Sequence, residues 1–391
     1  MIKRPKHAEF LFDVLILALT SFGGPQVHYA LFLKKLVQQK KYLSEEELLE
    51  LQALCAILPG PTSTQTITAI GFKKGGPALA YLTLLTWVTP AVFIMTLAAY
   101  GMTYLRNRAI LDYVLPVGIG LIIQAGYQLG QKVIKGWLYY LLMALTLVVG
   151  ILFQSPYIFP ITLLVSGLVS SLNYDRFPKQ NKHKMIIPWA NFNLFWGMGI
   201  GLAVLGHYTD YFPIRLFENF YRNGGLVFGG GQVLAPVLFT EFVEFKQLIS
   251  ADDFITGMTL SQSLPGPVYS LTAYLGVLLM KNYGLFGELM GSIIGTLGIF
   301  LPGTFLIFFV IRIWSQLKQY RLIRASLAGI QASSVGLTFV AVYLFLNPIV
   351  QKSDYISLGI VIASFLFSQF TKLPTILLFV FGLLFGIILN A

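Results

Sequence analysis

The motif Leu58-Pro59-Gly60-Pro61 recurs as Leu264-Pro265-Gly266-Pro267, 206 positions further along the chain. At the same offset, Phe22-Gly23-Gly24-Pro25-Gln26-Val27 recurs as Phe228-Gly229-Gly230-Gly231-Gln232-Val233. A gapless match through both motifs indicates that the chain contains two copies of one ancestral unit.

The composition predicts a membrane protein. Of the 391 residues, 56% are hydrophobic and 11% are charged, whereas soluble proteins carry about 25% charged residues. Such a chain cannot cover a water-facing surface, so we expect membrane lipids around it. The net charge of +11 is interpreted as cytoplasmic loops facing anionic lipid, and no nucleic-acid partner is expected. Duplication within a membrane protein is typical of transporters that bind cargo between the repeats.

Two kinds of apolar segment alternate along the chain. Nine runs approach the length of about 20 residues that a bilayer crossing needs; they are 77–105, 111–131, 137–153, 157–174, 190–206, 285–311, 326–346, 355–370 and 374–390. Four other segments are interrupted by the Gly-Gly and Pro-Gly-Pro motifs. Their arms of about 11 to 15 residues reach only the middle of a bilayer as helix. These segments therefore predict four re-entrant helical hairpins.

The basic residues predict the orientation of the segments. With a cytoplasmic N-terminus, 20 of the 27 lysines and arginines fall on inner loops, as the positive-inside rule requires. Five crossings then precede the second repeat, so the repeats would be inverted; a hairpin that crosses fully would change this parity. The predicted fold is an all-α polytopic membrane protein of two inverted-topology repeats, each with two re-entrant broken-helix hairpins plus spanning helices. The predicted domains are a first repeat (1–175), a basic cytoplasmic linker (176–188) and a second repeat with an extra leading helix (189–391).

The four breaks are the predicted binding site. A helix that begins inside the membrane presents free backbone N–H groups and the positive end of its dipole, which suit an anion. Amide and hydroxyl side chains beside the breaks would replace the water shell of a tetrahedral oxyanion, or would cap the helix ends instead. These candidate substrate-binding residues are Gln26, Thr62, Ser63, Thr64, Gln65, Gln232, Tyr269 and Ser270.

Charged and titratable residues inside the apolar segments are further candidates. Arg222 precedes the second glycine break, where it would bind a divalent oxyanion or pair with Glu218 one helical turn earlier. Asp13 and His28 are candidates for coupling or gating. Asp13 would pair with a cation or carry a proton. His28 would titrate or act as a structural hydrogen-bond donor, and the second half has Leu234 at the equivalent position.

Enzyme motifs are missing from the sequence. No Walker loop is present to bind ATP, and no spacing of His, Cys and carboxylates indicates a metal. We therefore expect no enzyme activity, no cofactor and no metal. Asp252-Asp253 is interpreted as the start of a helix, matching Glu46-Glu47 in the first half.

Together these motifs resemble the chromate ion transporter family, in its long form with two fused domains. The resemblance is carried by FGGP at 22–25, PGPTSTQ at 59–65, RNG at 222–224, FGGGQV at 228–233, LPGPVYSLTAYLG at 264–276 and FLP at 300–302. It implies export of chromate from a bacterial cytoplasm, with sulfate as the structural analogue. It also implies contacts to the anion from Gly23, Gly24, Pro25, Pro59, Gly60, Pro61, Gly229, Gly230, Gly231, Pro265, Gly266 and Pro267.

The predicted function is a secondary transporter that exports a small tetrahedral oxyanion, chromate first, by alternating access at a midplane site between the repeats. Two alternatives stay open: a transporter of sulfate or another oxyanion, and a lipid-phosphate translocase whose cargo places its head group on the same helix ends. The expected location is the bacterial cell membrane, with a cytoplasmic N-terminus. A homodimer is left open.

Overall fold

A computed structural model of the chain describes residues 7–22, 25–55, 58–104, 113–153, 158–174, 187–227, 231–317, 320–371 and 375–390. These residues form helices and no strand, which confirms the all-α fold class. The helices are α1 (His7–Thr20), α2 (Pro25–Phe32), α3 (Glu45–Cys55), α4 (Thr62–Tyr104), α5 (Val114–Val133), α6 (Trp137–Leu152), α7 (Ile158–Ser171), α8 (Ala190–Thr209), α9 (Phe212–Leu226), α10 (Gly231–Phe239), α11 (Ala251–Ser263), α12 (Leu271–Leu279), α13 (Gly284–Leu317), α14 (Arg321–Gln351), α15 (Tyr355–Phe370) and α16 (Thr375–Asn390).

The described residues of the nine apolar runs lie mostly in helices. Three stretches of the described chain are long and apolar enough to cross a membrane: Thr62–Met102, Lys281–Trp314 and Arg321–Gln351. Shorter apolar helices accompany them, so the chain is built as a multi-pass membrane protein. Which of the shorter helices cross, and whether the interrupted segments are re-entrant, stay predictions.

Each of the two longest elements has a glycine turn, inside α4 and at the start of α13. Within α4 the backbone leaves the helical conformation at Gly75 and Gly76, so its parts before and after this point are two helices. Gly76 has φ 71° and ψ −164°, and Gly284, at the start of α13, has φ 70° and ψ −171°. Because only glycine adopts such a positive φ readily, a similar glycine turn separates a short helix from a long helix in each half.

The short helix packs closely on the long helix in each half. A methyl group added to Gly71 would collide with Thr83 of α4, and one added to Gly276 of α12 would collide with the main chain of Gly291. Small residues at such contacts let helix backbones approach each other closely, which is the usual means of helix association in lipid. Each pair therefore forms a helical hairpin of unequal arms.

The chain divides into two compact units that do not follow the two halves of the sequence. Unit 1 contains Met1–Thr103, Lys184–Leu226 and Leu260–Ser315, and unit 2 contains Tyr104–His183, Val227–Thr259 and Gln316–Ala391. Each unit therefore combines helices from both halves. The division into 1–175, 176–188 and 189–391 stays a prediction, and residues 176–186 of the linker lie outside the described part of the chain.

In unit 2, α14 is the central helix and packs against α5, α6, α7 and α10. Its polar residues are bonded across helix interfaces: Ser333 shares a 2.8 Å hydrogen bond with Thr146 of α6, and Ser170 of α7 donates to the carbonyl of Ala325. Gly336 lies against the main chain of Met143. The interior of this unit is thus held by small residues and paired hydroxyls, as expected for helices packed in lipid.

The structure contains a feature that the sequence did not predict. A π-helix, Leu33–Gln39, continues α2, and a second one, Thr240–Phe245, continues α10. Lys41 and Gln247 each lie two residues after the end of a π-helix. Both have a positive φ, of 55° and 49°. The two π-helical turns therefore recur at the offset of the sequence motifs.

The next helix in each half begins with a serine cap. The hydroxyl of Ser44 accepts a hydrogen bond from the Glu47 N–H, while the Glu47 carboxylate accepts one from the Ser44 N–H. In α11 the hydroxyl of Ser250 accepts a hydrogen bond from the Asp253 N–H. Both are capping arrangements that satisfy free N–H groups of the first turn. The interpretation of Asp252-Asp253 as a helix start is confirmed.

Candidate functional site

The first Pro-Gly-Pro turn is closed by a glutamine and held against α13. Gly60 has a φ of 114°, a conformation that residues other than glycine rarely adopt. The Gln65 Nε2 donates to the Pro59 carbonyl at 2.8 Å and to the Gly303 carbonyl at 3.2 Å. Gly303 belongs to α13, so one side chain fixes the turn and attaches it to a helix from the other half. All of these residues belong to unit 1.

The second Pro-Gly-Pro turn is held by helices of the first half. Gly266 has a φ of 106°, and its N–H donates to the carbonyl of Ser21, at the end of α1, over 2.8 Å. A Cβ atom added to Gly266 would lie 2.8 Å from the Cβ of Ala91 in α4. This turn also lies in unit 1, next to the end of α1. Each Pro-Gly-Pro turn thus rests on a helix of the opposite half.

A helix start follows each turn. The first i→i+4 hydrogen bond after the first turn runs from the Gln65 N–H to the Pro61 carbonyl at 2.8 Å, so Pro61 caps the helix that begins at Thr62. After the second turn, the Ser270 N–H donates to the Pro267 carbonyl at 2.9 Å and a 3-10 turn leads into α12. Both starts leave backbone N–H groups without helical partners, as every helix start does.

The polar side chains that follow the first turn hold the helix start in place. Ser63 contacts the Nδ1 of His28 at 3.0 Å. Trp87 of α4 donates from Nε1 to the Thr64 hydroxyl at 3.1 Å. With Gln65 bonded as described, three successive side chains of the predicted site bind neighbouring helices and turns. These side chains hold the helix start in place, and their contact with the cargo stays a prediction.

His28 is buried between α2 and α4. Its side chain is 1% exposed, and its ring meets the ring of Trp87 edge-on at 5.3 Å. Ser63 occupies Nδ1, while Nε2 has no hydrogen-bond partner among the described residues. The ring also lies beside the main chain of Ser21.

Other buried polar atoms of unit 1 also lack a hydrogen-bond partner among the described residues. Tyr269 is 2% exposed, packs its ring against Phe300, and has a hydroxyl without a partner among the described residues. The same holds for the Ser21 hydroxyl and the Gln65 Oε1. A buried polar atom without a partner costs about 1 to 3 kcal/mol. Such atoms commonly mark a place where water or a ligand binds.

Arg222 adopts the pairing that the sequence offered as its alternative. Its Nε donates to the Glu218 carboxylate at 3.0 Å, and its guanidinium also donates to the Asn219 side chain at 3.2 Å. The side chain of Arg222 is 27% exposed. Two residues further on, Gly224 packs against α13 beside Pro302, so the end of α9 lies next to the segment of α13 that holds the first turn.

The carboxylate of Asp13 is 2% exposed and is bound by two lysines and a tyrosine. The Tyr42 hydroxyl donates to its Oδ2 at 2.7 Å, and the Nζ atoms of Lys40 and Lys35 lie 3.1 Å and 3.4 Å from its carboxylate oxygens. Lys40 also binds Glu9 at 2.9 Å. The cationic partners expected for Asp13 are therefore these two lysines, which join α1 to the π-helix after α2.

The glycine breaks are partly described. Gly23, Gly24, Gly229 and Gly230 lie outside the described residues. Pro25 and Gln26 begin α2, and Gly231 and Gln232 begin α10. A helix therefore starts directly after each glycine break. No group of three or more His, Cys, Asp and Glu side chains that could hold a metal occurs within the described ranges.

Two residues of this region were missed by sequence reasoning. Trp87 holds both His28 and Thr64, but in the sequence it is one aromatic residue in a long apolar run. Gly303 receives the Gln65 side chain. The signal for Gly303 was the preceding FLP element, which marked its position without indicating its partner.

A comparison with known families matches this arrangement of motifs. The chromate transporter family model matches the chain twice, over residues 8–171 and 214–387. The chain belongs to the chromate transporter family. The two matched ranges begin 206 positions apart, the offset of the motifs. Members of this family are membrane transporters, and the chain is a multi-pass membrane protein of the same kind.

The relatives include both uncharacterized and chromate-transporting proteins. The uncharacterized transporter MJ0718 of Methanocaldococcus jannaschii is 25% identical over 96% of this chain and 93% of its own length. The chromate transport protein of Pseudomonas aeruginosa is 23% identical over 82% of this chain and 76% of its own length. The probable chromate transport protein of Synechococcus elongatus is 24% identical, over 74% and 71%. No solved structure matches the chain.

Proposed function

We propose that the chain is a secondary transporter in a bacterial plasma membrane that exports chromate or a closely similar tetrahedral oxyanion. The observation that carries the proposal is the hydrogen bond from Gly266 to Ser21. It brings the second Pro-Gly-Pro turn to the end of α1, where the first glycine break begins. The contact between His28 and Ser63 brings the start of the first Pro-Gly-Pro helix to the same place.

The chemistry of this place suits an oxyanion. Both Pro-Gly-Pro turns and the end of α1 belong to unit 1, and the helix that starts after each turn has free N–H groups and a positive dipole end that suit an anion. The hydroxyls of Tyr269 and Ser21 are buried donors without partners among the described residues. Backbone and hydroxyl donors of this kind replace the hydration shell of a tetrahedral anion. We place the anion beside Ser63, Gly266 and Tyr269.

Alternating access would involve bending of α4 and α13. Each of these helices contains a proline, Pro90 in α4 and Pro302 in α13. Proline removes a helical hydrogen bond and permits bending. Ala91 and Gly303, the residues that receive the two Pro-Gly-Pro turns, directly follow these prolines. Bending at the prolines would therefore move the turns and open the site to one side at a time.

The proposal is tested by uptake of labelled chromate into everted vesicles, with and without a membrane potential and with sulfate as competitor. Vesicles lacking the protein are the first control. Tyr269→Phe is expected to raise the KM for chromate about tenfold or more, because the hydrogen bond from the hydroxyl to a charged group is lost. Tyr208→Phe changes an exposed tyrosine of α8 and is expected to leave transport at the level of the wild type.

The outcomes separate the candidate cargoes. Chromate accumulation that sulfate reduces supports one oxyanion site with chromate as cargo. Accumulation of sulfate alone would assign the site to sulfate. If neither ion accumulates under any gradient, oxyanion export is wrong, and a fluorescent lipid phosphate becomes the next cargo to test.

A further inference from the structure

We propose that His28 binds the transported oxyanion directly, as a neutral donor through its Nε2–H, and so determines how the site recognises its cargo. This inference rests on the proposed function and deepens it, because it assigns one side chain a contact with the anion. It replaces the gating and structural roles that the sequence offered for this residue.

The two ring nitrogens of His28 have different surroundings. Nδ1 lies 3.0 Å from the Ser63 hydroxyl. When that hydroxyl donates to Nδ1, the neutral ring carries its proton on Nε2. Nε2 has no partner of hydrogen-bond geometry among the described residues, although the side chain is 99% buried. The Ser21 main chain interacts with the ring, but the Ser21 carbonyl already accepts the Gly266 N–H at 2.8 Å. A buried N–H is costly to leave unpaired, so an acceptor that enters the site completes the arrangement.

Neighbouring side chains hold the His28 ring in place. Trp87 packs edge-on against it at 5.3 Å, and Trp87 is itself fixed by Phe32, at 5.3 Å, and by its bond to Thr64. Ser63 is the second residue of the helix that follows the first Pro-Gly-Pro turn. A donor fixed before the ligand arrives loses little conformational entropy on binding.

The surroundings favour a neutral ring. Ser63 and Trp87 contact the ring, and neither side chain carries a charge. An imidazolium without an anionic partner is costly in a buried environment. His28 therefore contributes the direction and distance of a hydrogen bond.

The proposed contact between His28 and the anion has no counterpart at the equivalent position of the second half. The equivalent position in the second half is Leu234, which is fully buried in unit 2 and offers no donor. An anion bound by His28 is consequently recognised unequally by the two halves, despite the repeated backbone motifs.

Two substitutions distinguish the role of Nδ1 from the role of Nε2. In His28→Gln, the amide reaches the position of Nε2 and keeps a donor there, while the contact with Ser63 is lost. In His28→Asn, the shorter amide keeps a group at the position of Nδ1 and loses the donor at Nε2. His207→Asn is the matched control, because His207 is an exposed histidine of α8.

Chromate binding to the purified protein in detergent is measured by equilibrium dialysis, and transport is measured in vesicles. We expect His28→Asn to weaken binding by about 10- to 100-fold, the loss of one hydrogen bond to a charged group. His28→Gln is expected to retain binding within a few fold of the wild type, and His207→Asn to match the wild type.

Several results would overturn the proposal. Binding by His28→Asn at the wild-type level, with a loss in His28→Gln, would assign His28 to positioning Ser63. Equal loss in two well-folded variants, or no loss in either, would show that Nε2 does not contact the anion. A wild-type protein that binds neither chromate nor sulfate would instead disprove the oxyanion function itself.

A measurement on the unmodified chain covers the case in which neither variant folds. The chain has four histidines, so the 15N signals of its labelled imidazoles are few. Sulfate is diamagnetic and is expected to shift one Nε2 signal as the site fills. If vesicle transport is normal and no imidazole signal shifts at saturating sulfate, the contact does not exist.

Discussion

The main-chain N–H of Gly266 donates to the main-chain carbonyl of Ser21 over 2.8 Å, although the two residues belong to opposite halves of the sequence. The bond joins one of the Pro-Gly-Pro turns to the end of α1. No side chain takes part in it, so it depends on the backbone conformation of Gly266, whose φ is 106°. The position therefore tests how strictly the turn must be maintained.

Gly266→Ala is expected to destabilise the protein by about 1 to 3 kcal/mol and to lower transport strongly. The added Cβ strains the backbone and would lie 2.8 Å from the Cβ of Ala91. Thermal unfolding in detergent and vesicle uptake are the measurements. Gly201→Ala is the control, since a Cβ there meets nothing within 4 Å. Equal melting temperatures and equal uptake for the two variants would show that the turn tolerates a side chain.

Gln65→Ala removes the donor that two carbonyls share. The carbonyls of Pro59 and Gly303 lose their side-chain partner in a buried environment, so we expect a loss of about 1 to 3 kcal/mol in the free energy of unfolding. Gln131→Ala removes an exposed side chain that donates to the Tyr127 hydroxyl and is expected to change the stability by less than about 0.5 kcal/mol. Equal effects of the two changes would contradict the role given to Gln65.

Asp13→Asn leaves two lysines without their buried counter-charge. We expect a loss of about 3 kcal/mol, the low end of the range for one member of a buried ion pair, because Lys35 and Lys40 are partly exposed. Glu9→Gln changes the exposed member of the same network and is expected to have little effect. Chemical denaturation in detergent compares the two variants. A larger loss for Glu9→Gln would mean that the exposed pair carries the network.

The cap of α15, outside the candidate site, allows a test of how the stability of the protein depends on pH. Hydrogen bonds from the Ser357 side chain and backbone lower the pKa of Asp354, which caps this helix. A lowered folded-state pKa adds stability above the unfolded pKa, and this stability is lost as the pH falls through the folded-state value. Asp354→Ala is expected to cost about 1 kcal/mol at pH 7, and the difference from the wild type should shrink at pH 3 to 4. A difference that does not change with pH would exclude the charged cap.

The local features of this fold are easier to predict than its contacts. Gly60 and Gly266 were identified because a turn between two helices needs a residue that tolerates positive φ, and the pairing of Arg222 with Glu218 was offered because residues four apart share a helix face. The hydrogen bond from Gln65 to Gly303 could not be predicted in this way. A single sequence does not show which helix of one half meets a turn of the other.

The lysines around Asp13 illustrate the same limit. The sequence offered Asp13 a cation or a proton, and the cations that bind it are Lys35, inside the π-helix after α2, and Lys40, which directly follows that π-helix. Nothing in the residues from Leu33 to Gln39 distinguishes an i→i+5 pattern from an ordinary helix. The identity of the partners therefore depended on a backbone irregularity that carries no sequence signature.

The paired π-helices also bear on the history of the chain. A π-helical turn accommodates one residue more than an α-helical turn, so the insertion of one residue into an existing helix would produce it. Leu33–Gln39 and Thr240–Phe245 occupy matching places in the two halves. One insertion before the gene duplicated explains both, whereas a later origin requires the same insertion twice. A descendant of the ancestral single-copy gene should therefore carry the same widened turn.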